Sequence, residues 1–181
     1  MFILYAVLAG LVVGLLAGGR IERLSTLRLS WIPLAVAGLL AQVLLFSPLL
    51  ADRVGDAGPL LYVLSTLAVA AFVARNVRLT GFAVILLGGA ANLVAIAANG
   101  GYMPADPGAL LVAGRALAGG YSNSAVTAHP ALAPLTDIFA LPAWLPLANV
   151  FSVGDVLVGV GAFIVVIAAM RTPERAVLAA S

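Results

Sequence analysis

Five apolar stretches, Phe2–Gly18, Trp31–Leu50, Pro59–Ala74, Leu79–Ala98 and Val153–Met170, run through this chain, each near the ~20 residues that an α-helix needs to cross a bilayer. Little polar material separates them. Of the 181 residues, 64% are hydrophobic and 9% charged, against about 25% charged in a soluble domain. Such a chain cannot cover a core of its own with polar surface, so hydrocarbon is the expected solvent for most of its exterior. The expected fold is all-α: an integral membrane bundle of about five transmembrane helices, with re-entrant or interfacial short helices in one long extracytoplasmic loop, forming one transmembrane domain over residues 1–181.

The nine basic residues are all arginine. In a five-span chain Arg20, Arg23, Arg28, Arg75, Arg78, Arg171 and Arg175 fall on one side, and Arg53 and Arg115 on the other. The positive-inside rule then puts the N-terminus outside and the C-terminus in the cytoplasm. Asp52, Asp56, Asp106 and Asp137 are external on that reading. The first stretch lacks the positive leader of a cleaved signal peptide and reads as a retained span. With no cysteine, disulfides, thiolate metal sites and iron–sulfur clusters are excluded. No run of bases offers a grip on nucleic acid. The single histidine, His129, cannot supply paired haem ligands, so no metal or cofactor is expected.

Helix-end residues agree with this parse. Ser30 is placed to cap the second helix ahead of Pro33, Pro59 can start the third, and Asn99-Gly100-Gly101 ends the fourth with residues that accept left-handed backbone. The connection Asn99–Ser152 holds six of the ten prolines and is far longer than an ordinary inter-helix loop. Within it Asp106-Pro107 should start a helix of about three turns closed by Gly119-Gly120. A second apolar piece around Trp144 is broken by Pro142 and Pro146. Apolar pieces too short to span lie in the interface or re-enter the membrane, so 99–152 is expected to form an extracytoplasmic lid.

Small residues recur at helical spacing. Gly10, Gly14 and Gly18 make two successive G-x-x-x-G steps, Gly88, Asn92, Ala95 and Asn99 share one stripe, Asp155 and Gly159 another, and Gln42 lies on a third. These stripes should face protein rather than lipid. No Asp, Glu, Lys, Arg or His lies at mid-membrane depth in any of the five stretches, which argues against proton-coupled carriers, voltage sensors and ion pumps.

The polar groups that could carry chemistry cluster on the expected outer side: Asn92, Asn99, Tyr102, Asp137 and Asp155. Ser152-x-x-Asp155 has capping-box spacing, so the first role of Asp155 is structural, and binding a cation or moving a proton is the second. Gly154-Asp155 is also the end of a G-x-G-D pattern of intramembrane aspartyl proteases, with Ser152 in place of the first glycine and Asp137 as the only available second carboxylate.

The stretches AGGRIERL at Ala17–Leu24, NGGYMP at Asn99–Pro104, DIFALP at Asp137–Pro142 and FSVGDVLVGVG at Phe151–Gly161 together resemble a prokaryotic family of small multi-span membrane proteins that form a domain of unknown function. The resemblance implies a bacterial plasma-membrane protein with an outer motif cluster, and implies no activity. Three functions remain open. The first is a pocket under the lid that binds a small solute, ion or lipid headgroup or lets it pass. The second is an accessory subunit of a larger membrane complex, or a homo-oligomer, docked through the glycine face. The third is a hydrolase using Asp137 and Asp155.

Overall fold

The structure is a computed structural model that describes residues 2–47, 49–50, 53–115 and 124–172. The expected positions of Asp52, Gly119, Gly120 and Arg175 lie outside the described residues. The chain is mostly helical. Each apolar stretch contains one helix: α1 Phe2–Leu16, α2 Ile32–Leu45, α3 Gly58–Arg75, α4 Phe82–Ala98 and, after the short lid helix α5 Pro107–Val112, α6 Val153–Arg171. Two of them are long and apolar enough to cross a membrane, α3 with the turn before it (Gly55–Arg75, 21 residues) and α6 (19 residues). The others have 15, 14 and 17 residues, short of the ~20 that span a bilayer.

In space the order is α1, α6, α4, α3, α2. Residues of α1 meet α6 in parallel, Gly10 against Phe163 and Gly14 against Met170, while Gly81 and Gly88 meet Gly161 and Gly154 of α6 in antiparallel. The starts of α1, α3 and α6 and the ends of α2 and α4 therefore share one end of the bundle, where the lid sits.

Glycine makes the close approach of α4 and α6 possible because a Cβ would meet backbone. One at Gly81 would lie 2.6 Å from the Gly161 carbonyl, and one at Gly161 would lie 2.8 Å from the Gly81 carbonyl. The pairs Gly81–Gly161 and Gly88–Gly154 are seven residues apart on both helices, two turns of one face. Gly159 points the other way, toward Phe2 and Ala6 of α1. Helix α6 thus carries two glycine faces and is gripped from both sides. Gly18 departs from the expected packing stripe: a Cβ there would meet nothing within 4 Å, and its φ is +77°. It is the left-handed residue that ends α1, with the Gly19 N–H returning 2.8 Å to the Gly14 carbonyl as in a Schellman cap. Gly19 takes its place against Met170.

Two asparagines clamp the connections by the same pattern, one at each end of the bundle. Asn76, which follows α3, donates from Nδ2 to the Phe72 and Ser30 carbonyls, both at 2.8 Å, and accepts the Ser30 N–H at 2.8 Å. Asn99, which follows α4, donates to the Ala95 and Ala131 carbonyls and accepts the Ala131 N–H, at 2.8, 2.9 and 2.8 Å. Ser30 is thus not the N-cap expected from sequence. Its N–H belongs to Asn76, and the cap position falls to Trp31 in left-handed backbone, φ 64°, with the Arg75 guanidinium 5.9 Å from the Trp31 ring. Asn76 is 5% exposed, so Asn76→Ala removes three hydrogen bonds made by a buried side chain and should cost about 2 to 3 kcal/mol, read as a lowered unfolding midpoint. A midpoint equal to wild type would mean that water replaces the clamp.

The lid is folded. Strand β1, Met103–Pro104, pairs in parallel with β2, Ser124–Ala125, and β3, Phe139–Ala140, pairs antiparallel with β4, Val150–Phe151. Its helix is shorter than expected, because Gly114 turns left-handed at φ +62° and the Arg115 N–H closes back on the Leu110 carbonyl at 2.9 Å. The second apolar piece is the β3–β4 hairpin instead of a second short helix, since Pro142 and Pro146 withhold the amides a helix needs. The lid is fixed to α1 by the stack of Phe2 on Phe151 and Phe151 on Phe139, centroids 4.5 and 5.6 Å apart, and by the Tyr5 hydroxyl donating to the Pro146 carbonyl at 2.6 Å.

Candidate functional site at the junction of lid and bundle

The start of α6 lies against α4 at the lid end. The capping box there is complete: the Asp155 N–H donates to Ser152 Oγ at 3.0 Å, and the Ser152 N–H donates to Asp155 Oδ2 at 3.2 Å. Asn92, reaching from α4, locks into it from the side. Its Nδ2 donates to Asp155 Oδ1 at 2.8 Å, and its Oδ1 accepts the Ser152 hydroxyl at 2.7 Å. Ser152 is 0% exposed. This approach requires Gly154, because a Cβ there would strike the Asn92 side chain. The Ser-x-Gly-Asp sequence is therefore one unit: the serine and aspartate cap the helix, the glycine admits the asparagine, and the asparagine ties the cap to α4.

Asp137 arrives from the lid. Its backbone is fixed on both sides, with its N–H donating to the Pro104 carbonyl at 2.9 Å and its carbonyl accepting the Asp106 N–H at 3.0 Å. These bonds form a parallel bridge between Ala105 and Asp137, so the NGGYMP segment holds the aspartate in place. The residue is 5% exposed, and its Oδ1 is buried with no hydrogen-bond partner. Burial, aided by the nearby negative charge of Asp155, pushes its carboxyl up from 3.8 to about 7. At neutral pH the carboxyl is then divided between its charged and neutral forms.

The structure brings Asn92 and Asp155 together and sets Asp137 within electrostatic reach of Asp155. Asn99 is bound to Ala131 in the lid, and Tyr102 packs against the cluster of Leu45, Tyr62, Ala95, Ile96 and Met103. Both position the lid. Ser152 is the member that sequence reasoning saw only as a cap, and a polar residue one turn from Asn92 across a glycine contact is the signal that could have found it. His129 is exposed. Among the described residues, no three His, Asp or Glu side chains gather as a metal site would require.

Fold and site together define a mostly helical protein with helices apolar enough to enter a membrane and a buried acidic junction beneath a folded lid. The family of unknown function DUF5317 matches residues 26–167, and the chain belongs to that family. No curated protein and no solved structure shows significant similarity to it.

Proposed function

We propose that the chain is an integral protein of the bacterial plasma membrane in which α1, α2, α3, α4 and α6 all cross the bilayer with the lid outside, and that the lid–bundle junction is an outward-facing site for a small solute, ion or lipid headgroup. The observation that carries the binding site is the buried, unpartnered Asp137 oxygen. A polar atom so placed costs free energy unless something outside the chain completes it. Two features support the membrane reading. Fewer than a third of the residues in the apolar windows of α3 and α6 are buried, and Val12, Leu40, Val43, Leu60 and Leu87 are each more than half exposed. The described arginines also segregate: Arg20, Arg23, Arg28, Arg75, Arg78 and Arg171 lie at the end away from the lid, and Arg53 and Arg115 at the lid end. The short α1, α2 and α4 are accommodated by local thinning of the bilayer and by flanking residues that reach the interface.

The chain has no native cysteine, so single cysteines report sidedness cleanly. Ala128→Cys in the lid should react with a membrane-impermeant maleimide in intact cells, and Thr80→Cys between α3 and α4 only after permeabilisation. The reverse pattern would overturn the orientation and, with it, the outward-facing site. The binding part of the reading requires that at least one member of a panel of ions, small solutes and lipid headgroups raise the unfolding midpoint in a way that Asp137→Asn removes.

A second reading is favoured by one observation, the electrostatic coupling of Asp137 to Asp155. Two carboxylates that share a proton can activate water. That reading predicts hydrolysis of a membrane-embedded bond that either Asp137→Asn or Asp155→Asn abolishes.

A further inference from the structure

We infer that the Asp137–Asp155 pair binds a small cation carrying N–H donors, an ammonium or primary amine group, anchored on the unpartnered Oδ1 of Asp137. This rests on the binding site proposed above and names its ligand class.

The argument begins with the donors. Asp155 already has one on each oxygen, Asn92 Nδ2 on Oδ1 and the Ser152 N–H on Oδ2. The Ser152 hydroxyl is committed to Asn92, and the Asp106 carboxylate caps α5 by accepting the Ala109 N–H at 2.8 Å. Neighbouring side chains thus leave Asp137 Oδ1 without a donor.

Charge gives the second constraint. From α6 the group acting on Asp137 is another carboxylate, Asp155, whose own partner from α4 is the neutral amide of Asn92, and from the paired segment, Met103 to Ala105, comes no titratable group. Asp155 is the one charge found to act on Asp137 among the described residues. Two like charges in a shielded place favour a cation or a proton between them and repel an anion. A neutral donor would satisfy the oxygen and leave the charge.

The kind of cation follows from what is missing. A divalent metal wants three or more hard ligands in a defined shell, and no such group of acids or imidazoles exists among the described residues. An ammonium group needs only acceptors within hydrogen-bond reach and gains a charge-assisted bond to Asp137.

The test uses the full chain in detergent or nanodiscs, with methylammonium chloride as the probe and tetramethylammonium, sodium and magnesium chlorides at equal ionic strength beside it. Methylammonium should raise the unfolding midpoint, more at about pH 8.5 than at about pH 5.5, because Asp137 with its value of about 7 is charged only at the higher pH. Tetramethylammonium, which has the charge without N–H donors, should not. Asp137→Asn should weaken methylammonium binding by about tenfold or more, the loss of one charge-assisted hydrogen bond. A measurement on the wild type guards against misfolding of the variant: titration near pH 7 in buffers of different ionisation heat should show net proton release on binding. An equal response to all four salts, or no proton release, overturns the inference. If instead a neutral or anionic solute from the panel stabilises the wild type but not Asp137→Asn, the binding site stands and its assignment to cations falls. If no solute of any charge does so, both fall.

Discussion

Asp137→Asn should make the protein more stable above neutral pH, the opposite of what removing a buried polar residue usually does. The sign follows from linkage. With the folded-state carboxyl at about 7 and the ordinary value at 3.8, both states hold the proton at the acid extreme. Between those two values only the folded state holds it, so unfolding releases a proton and stability falls as pH rises. The difference corresponds to about 4 kcal/mol, fully lost once pH exceeds about 7. Asparagine resembles the protonated acid in shape and has no charge to bury, so the variant should lack this slope. Reversible unfolding of both proteins across the range checks it, with the difference between the two profiles as the quantity of interest. Parallel profiles would mean that Asp137 is solvated or already paired.

Gly88→Ala should be far more damaging than Gly14→Ala, although both glycines are buried in the interior faces of helices. At Gly88 a methyl group would meet the Gly154 carbonyl and lie 2.8 Å from the Val158 N and 2.9 Å from the Leu157 Cβ. Backbone cannot step aside, so α4 must move from α6, and the Asn92 bonds to Ser152 and Asp155 at 2.7 and 2.8 Å stretch with it. The overpacking and the lost bonds together should cost about 3 kcal/mol or more. At Gly14 the nearest atom is the Met170 Sδ at 2.6 Å, the far part of a flexible side chain that can rotate. A cost of about 1 kcal/mol is expected there. Thermal midpoints in the same detergent compare the two directly. Equal losses would show that the α4–α6 contact is looser than its glycines imply.

Helix positions were legible because each depends on a run of apolar residues bounded by local signals. The Ser152–Asp155 box and the Asp106 cap act within four residues and could be read as written. Ser30 was misread because a distant partner decides its role, Asn76 taking its N–H across 46 positions, and Gly18 because the chain turns left-handed there to end α1, which leaves Gly19 to face Met170 of α6. Helix ends, and with them lengths, were legible only to within a few residues. That margin separates a stretch of bilayer length from the 14 residues of α2. For the site, the sequence marked Asn92, Asp137 and Asp155 as polar groups in apolar surroundings. It could not show that Asn92 joins the cap, nor that the lid delivers Asp137 to it, since both depend on how separate elements dock. Asn99 and Tyr102 looked equally available from sequence, and the lid makes use of both.

The central claim is that Asp137 is a buried acid at an outward-facing junction, and an infrared titration of the oriented protein in sealed liposomes tests it directly. With pH changed on the outside alone, the account predicts that a protonated-carboxyl band, absent from Asp137→Asn, disappears with a midpoint of about 7. A band that titrates near the ordinary carboxylate value, or one that responds only when the internal pH is changed, would contradict it.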